Sequence, residues 1–252
     1  MTVSTSDLGA ARVVTWDRQA RRNAWDLATM TAIADAVEAA GEDPVVRCVV
    51  LRGAGEHFSA GDDLQAAIAA DSAAWAETIE GFQRMTQVVL ATPVPAIAVV
   101  DGVCVGGALE FAASCDLRLC TDRVRLLTPE VRIGLVASNA GTLLLPEVVG
   151  ESAARELLLG GGERDAAWAD RHGFATEMVA PGDLDGRIQH WAGVFARTSR
   201  AAVAATKRML NERFGELLDA AMERETHHCV RLFDEEDART ALGEFAGRRE
   251  AR

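Results

Sequence analysis

Cysteine is scarce in this sequence and has no paired pattern. Cys48, Cys104, Cys115, Cys120 and Cys229 make an odd five with no close-paired metal spacing. Four of them lie in apolar runs, where free cysteine behaves as a small core residue. No disulfide framework is expected, and a reducing, cytoplasmic setting is. Basic residues are outnumbered, 26 Lys and Arg against 38 Asp and Glu, for a net charge of −12. That balance lacks the basic face of a nucleic-acid binder, although an anionic small ligand needs only a local Arg or Lys cluster. The longest apolar run, 94–100, is too short to span a bilayer. The first nine residues are polar and acidic, so no secretory leader and no membrane partner are expected. The five histidines show no zinc-like spacing, and no metal site is expected. Internal repeats and low-complexity tracts are absent too.

What is present suffices for a large core: 252 residues, 49% apolar and 25% charged. Short β-rich runs fall at 11–16 and 45–51, and 26–40 carries apolar residues at helical spacing up to Gly41. Residues 63–90 are mostly helical in pattern. A buried strand is expected at 94–100, a glycine-bearing loop at 102–107, a short helix at 108–114 and another strand at 116–119. Wholly apolar strands alternating with helices indicate an α/β layered core. Beyond that, 151–159 and 165–172 read as helices separated by Gly160-Gly161-Gly162. Past Pro181 the pattern is helical throughout, with helices expected at 188–196, 201–211, 214–233 and 235–246. The expected division is a core over 1–195 and a helical oligomerisation region over 196–252.

Two glutamates stand out chemically. Glu110 closes the run Gly106-Gly107-Ala108-Leu109-Glu110, and Glu130 closes Leu127-Thr128-Pro129-Glu130. Each sits at the edge of an apolar segment, where an unpaired carboxylate is costly. Two carboxylates at one site can divide acid and base work. Glycine-bearing loops at 57–64 and 101–107 both follow an apolar strand and precede a helix. One N–H from each, aimed at one oxygen, makes a two-donor oxyanion hole. Plainer readings exist: Glu110 as a helix-start carboxylate favoured by the dipole, Glu130 as a turn residue. His227 and His228, adjacent on a helix, point in different directions and read as surface or packing residues, and Trp75 and Trp191 as packing residues.

The motifs occur in an order that resembles a known family. Arg18-Gln19-Ala20-Arg21-Arg22-Asn23-Ala24, Phe58-Ser59-Ala60-Gly61-Asp62-Asp63-Leu64, Gly106 to Glu110 followed by Cys115-Asp116, and Thr128 to Leu135 appear in register. So do Ala205-Thr206-Lys207 and Glu236-Asp237-Ala238-Arg239 with Phe245. Along nearly its whole length the chain resembles the enoyl-CoA hydratase/isomerase, or crotonase, superfamily. The resemblance implies an α/β, ClpP/crotonase-like fold: a repeated ββα superhelical core with a helical C-terminal appendage. It implies an acyl-CoA thioester substrate, with coenzyme A part of that substrate and no separate cofactor. The Asp62 and Gly107 amides would polarise the thioester carbonyl, the Asp62 side chain not being catalytic. Glu110 would orient a water and Glu130 transfer a proton. Arg21, Arg22, Ala60, Asp63, Leu64 and Lys207 would meet the coenzyme, with Phe245 and Arg248 contributed by a neighbouring subunit of a homotrimer or hexamer. Trp25 would line the acyl end of the pocket.

The pattern departs from the family after Leu135, where Val136-Ala137-Ser138-Asn139-Ala140-Gly141 leads into Thr142-Leu143-Leu144-Leu145-Pro146. Ser138 and Asn139 replace small residues, Leu143-Leu144 replaces a Gln-Arg pair, and Thr240-Ala241 replaces Glu-Gly near the end. A Ser or Asn side chain at 138–139 can hydrogen-bond substrate or cap the next helix. The expected activity is that of a lyase, hydration of a 2-enoyl-CoA. The alternatives are another crotonase-type reaction (isomerisation, decarboxylation, thioester hydrolysis or C–C cleavage) and a non-catalytic acyl-CoA-binding protein.

Overall fold

The polar N-terminal segment forms an edge strand. In the computed structural model, which describes residues 2–250 with the side chains of Leu64 and 246–250 outside the description, β1 (Thr2–Leu8) pairs antiparallel with β2 (Ala11–Asp17). Most β1 residues face solvent, so no apolar alternation betrays the strand in the sequence. Next come α1 (Leu27–Glu42), capped by Asp26 accepting from the Thr29 N–H, and the apolar β3 (Cys48–Gly53). The stretch 63–90, expected to be mostly helical, holds two helices, α2 (Leu64–Ala69) and α3 (Ser72–Ala91). Asp71 starts the second by accepting from Ala74 N–H.

The middle of the chain repeats one device. β4 (Ala96–Val100) continues into β5 (Val103–Val105) and then α4 (Gly107–Ser114). β6 (Leu117–Cys120) continues into β7 (Arg125–Leu127) and a short turn of helix at Glu130–Ile133. The first strand of each unit joins the large sheet, ordered β1-β2-β3-β4-β6, and the second joins a small one, β5-β7. A parallel bridge between Ser59 and Cys104 adds the chain after β3 to the small sheet, so β3 opens the same kind of unit. From β2 onward every pairing in the large sheet is parallel, as strands covered on both faces require.

The remaining elements are mostly helical: α5 (Gly141–Val149), α6 (Glu151–Gly160), α7 (Ala166–Arg171), the two-residue β8 (Glu177–Met178) beside β6, α8 (Leu184–Ala196), α9 (Arg200–Glu212), α10 (Gly215–Phe233) and α11 (Glu236–Glu250). An aromatic group, Trp16, Trp25, Phe58, Phe82 and Phe111, fills the space between the sheet and its helices with edge-on contacts around Trp25. The C-terminal helices do not hang free. Phe233 of α10 stacks on Trp75 of α3 with centroids 4.8 Å apart, and α11 packs on the 130–133 turn. Among the described residues no helix is long and apolar enough to cross a membrane.

Candidate active site

Each of the three successive units delivers one part of a single pocket. The loop after Ser59 brings Asp62, the start of α4 brings Gly107, and the turn after β7 brings Glu130; all three line it. Gly61 makes this approach possible. Its φ is +80°, and a Cβ there would stand 2.5 Å from the Val105 carbonyl oxygen and 3.9 Å from the Gly107 nitrogen. The two amides are thus drawn to one place.

Their hydrogen-bonding capacity is unspent. The parallel bridge between Trp25 and this loop uses the Gly61 carbonyl and the Asp63 N–H, each 2.8–2.9 Å from Trp25. Strand alternation then turns the Asp62 N–H the other way. Gly107 opens α4, where an N–H has no intrahelical acceptor. Among the described residues neither amide donates to a protein group. Two such donors at a helix start suit an oxygen that gains negative charge.

Glu130 lines the same pocket, with Oε1 beside Gly106 at a distance that leaves no room for a Cβ. Glu110 lies behind it on α4, 1% exposed. Its Oε2 accepts from the Asn139 N–H at 2.8 Å and the Gly141 N–H at 3.2 Å. Burial drives the Glu110 carboxyl well above the ordinary carboxylate range, and the charges of Glu130 and Glu225 add to the rise. Burial first, then Glu225, pushes Glu130 up to about 7. A carboxyl raised in this way, as Glu130 is, suits proton exchange with a bound molecule.

The remaining walls are apolar: Trp75, Ile79 and Phe82 from α3, Ile133 and Leu135 from the 130–135 segment, and Leu242 and Phe245 from α11. The cavity volume is about 60 Å³.

Not every expected residue comes to this pocket. Ala60 and Ser138 line it, whereas Asn139 is fully buried and does not. Trp25 is no pocket wall; it lies beneath, 5.8 Å from Phe82, because it is the centre of the aromatic core. Lys207 is held elsewhere, its Nζ 2.6 Å from Asp116 and 3.1 Å from the Val94 carbonyl at 5% exposure, a tie between α9 and the sheet. Asp63 pairs with Arg18 at 2.6 Å and caps α2. Arg22 lies beside the loop, its carbonyl accepting from Ala60 N–H, and Arg21 is exposed in the adjoining turn. Phe245, expected from a neighbouring subunit, reaches the pocket of its own chain. The Leu64 and Arg248 side chains lie outside the described residues.

The sequence reading missed Glu225 on α10. It is 5% exposed, and its Oε1 accepts from Thr142 N–H at 2.8 Å and Thr142 Oγ1 at 2.5 Å. A signal existed: Met222, Glu225, Cys229 and Phe233 fall three and four residues apart and are all buried. Surrounding charges disguise that stripe as a solvated face.

Comparison with known proteins agrees with this architecture. The profile of the enoyl-CoA hydratase/isomerase family matches residues 9–252. The chain is similar to the crotonyl-CoA hydratase of Syntrophomonas wolfei, 30% identical over 237 residues covering 93% of this chain and 91% of that one. It is also similar to a carnitinyl-CoA dehydratase of Salmonella arizonae, 31% identical over 195 residues, 77% of this chain and 74% of that one. Among solved structures, an enoyl-CoA hydratase from Mycobacterium avium subsp. paratuberculosis superimposes with a TM-score of 0.87 at 26% identity, covering 98% of this chain and 96% of the other. The fold is crotonase-like, helical C-terminal region included. By its motifs, its repeated strand–strand–helix core and these likenesses over nearly the full length, the chain belongs to the enoyl-CoA hydratase/isomerase family.

Proposed function

We propose that this protein is a 2-enoyl-CoA hydratase, a lyase that adds water across the 2,3 double bond of an enoyl thioester. The observation that carries the reading is Glu130 in one pocket with the two unspent amides of Asp62 and Gly107, and the Glu110 carboxylate held behind it by the Asn139 and Gly141 N–H groups. The thioester oxygen would sit on the Asp62 and Gly107 N–H groups. Conjugate addition moves charge onto that oxygen as an enolate, so the amides act most strongly in the transition state. The water oxygen bonds to C3 while Glu130 delivers a proton to C2. The proton released by the water returns to the carboxyl pair, with Glu110 orienting the water. The pair begins and ends with the same number of protons. Arg21 and Arg22 would meet the coenzyme phosphates. This chemistry needs only the protein's own groups, with coenzyme A part of the substrate. A trimer or hexamer in the cytoplasm completes the proposal; a solution mass equal to one 26.9 kDa chain would remove its oligomeric part.

The test is to mix the protein with crotonyl-CoA and longer 2-enoyl-CoAs and follow loss of the conjugated thioester absorbance. A panel with no turnover sinks the reading. One observation favours a second reaction, double-bond isomerisation: Glu130 lines the pocket and Glu110 stands behind it. Mass spectrometry separates the two, since hydration adds one water to the product and isomerisation adds nothing.

A further inference from the structure

Glu225 is more elaborate than a helix cap requires. Asp26 and Asp71 cap α1 and α3 with carboxylates that are not fully buried, and one oxygen is enough for that work. Glu225 gives Oε1 to the start of α5 and keeps Oε2 buried, without a partner among the described residues. A buried, unpaired carboxylate oxygen is costly and calls for a reason.

The reason lies across the same turn. Between residues 139 and 142 the chain shares its amides between two carboxylates from different helices. Asn139 and Gly141 donate to Glu110 on α4, and Thr142 donates to Glu225 on α10. A second clamp fixes the turn to α10. Gln83 Nε2, on α3, donates to the Ser138 carbonyl at 2.8 Å, to Thr226 Oγ1 at 2.8 Å and to the Met222 carbonyl at 3.3 Å. Asn139, in this turn, is fully buried, with its Oδ1 and Nδ2 both unpartnered among the described residues. The turn that holds Glu110 therefore cannot move independently of α10.

We propose that Glu225 is a positioning residue of the acid–base centre: it sets the 139–142 turn so that two amides meet Glu110, and it puts a third carboxylate behind the Glu110–Glu130 pair. This rests on the reading of Glu110 and Glu130 as the proton-handling groups. The titratable groups facing it are Glu110 from α4 and Glu130 from the 130–133 turn, with Cys229 one turn further along α10. No Lys or Arg pairs with it among the described residues. Burial raises Glu225 itself, and its charge raises both partners. Three carboxyls whose charges act on one another titrate as one system. Negative charge on Glu225 favours a protonated Glu130, the form that can give a proton to carbon.

Glu225→Gln tests this, because the amide keeps an oxygen for Thr142 and removes only the charge. Carboxyl ¹³C NMR, with Glu110 and Glu130 assigned through Glu110→Gln and Glu130→Gln, reads the titration without any turnover. The expected result is a fall of about 0.5 pH unit or more in at least one of the two midpoints. In turnover, kcat falls about tenfold at unchanged KM and its alkaline limb moves to lower pH. Unmoved midpoints for both glutamates overturn the proposal even in an active enzyme. Shifted midpoints in a protein that turns over no enoyl-CoA uphold the hold of Glu225 on the pair and sink the hydration reading instead.

Discussion

The Asn139 N–H donates to Glu110 Oε2 at 2.8 Å, from a residue whose own side chain is fully buried. The turn that follows Leu135 is thus joined to the candidate acid–base pair through its backbone. A backbone donor holds the carboxylate whatever side chain its residue carries.

Replacing either carboxyl of the pair should remove proton transfer while leaving the groove intact. Glu130→Gln and Glu110→Gln should each lower kcat on crotonyl-CoA on the order of 10²–10⁴-fold with little change in KM. Steady-state kinetics on the two variants decide it, and a rate within twofold of wild type for both refutes the assignment.

Gly141→Ala should separate activity from stability. A Cβ at this position would stand 2.6 Å from Glu110 Oε2, 2.8 Å from its Cδ and 2.9 Å from its Cγ, so the whole carboxyl end of that buried side chain must move, and Gly141 is in helical conformation at the start of α5. The helix tolerates alanine, and the carboxylate shifts. Loss of about 10²-fold in kcat with a melting temperature within a few degrees of wild type is expected. A variant that melts early but works normally when folded contradicts this.

Glu130 makes stability depend on pH in a defined sense. Its folded carboxyl is raised to about 7, above its ordinary value of 4.5, so the folded state holds the proton more tightly. Its contribution is fully present below the unfolded pKa and is lost as pH rises from there through about 7. Glu130→Gln should therefore melt higher than wild type at pH 8, by an amount corresponding to at most about 3 kcal/mol, and converge with it near pH 4. Parallel melting curves across that range would show that burial imposes no such cost.

Lys207 should matter for stability and not for the coenzyme. Lys207→Met leaves Asp116 with the Ala96 N–H as its one remaining hydrogen-bond donor among the described residues. Asp116 keeps about a quarter of its side chain in solvent, so losing the charged hydrogen bond costs about 1.5–3 kcal/mol, a fall of roughly 3–12 °C in Tm for a chain of this size. KM for an enoyl-CoA stays put. A raised KM at unchanged Tm would return Lys207 to the substrate.

The elements readable in the sequence were those whose burial leaves a periodic trace. The apolar cores of β3 and β4 and the stripe of α1 are legible because both sheet faces, or one helix face, must be apolar. β1 leaves no trace because it is an exposed edge, and β5 and β7 are three-residue strands too short to show a period. The break between α2 and α3 turns on the single capping carboxylate of Asp71.

By itself the sequence determined the layered α/β core, the glycine-bearing loops, and the glutamates worth following, since local residue types settle each of these. Only the tertiary structure decided which groups share the pocket. Asp62, Gly107 and Glu130 come from three separate units of one repeat, brought together where the chain passes from the large sheet to the small one. The same holds for Glu225, 95 residues beyond Glu130 in the numbering and disguised on its helix by the charges around its buried stripe. Charge and hydrogen bonding act through space at a few ångströms, and no spacing along the chain encodes which helix will supply them.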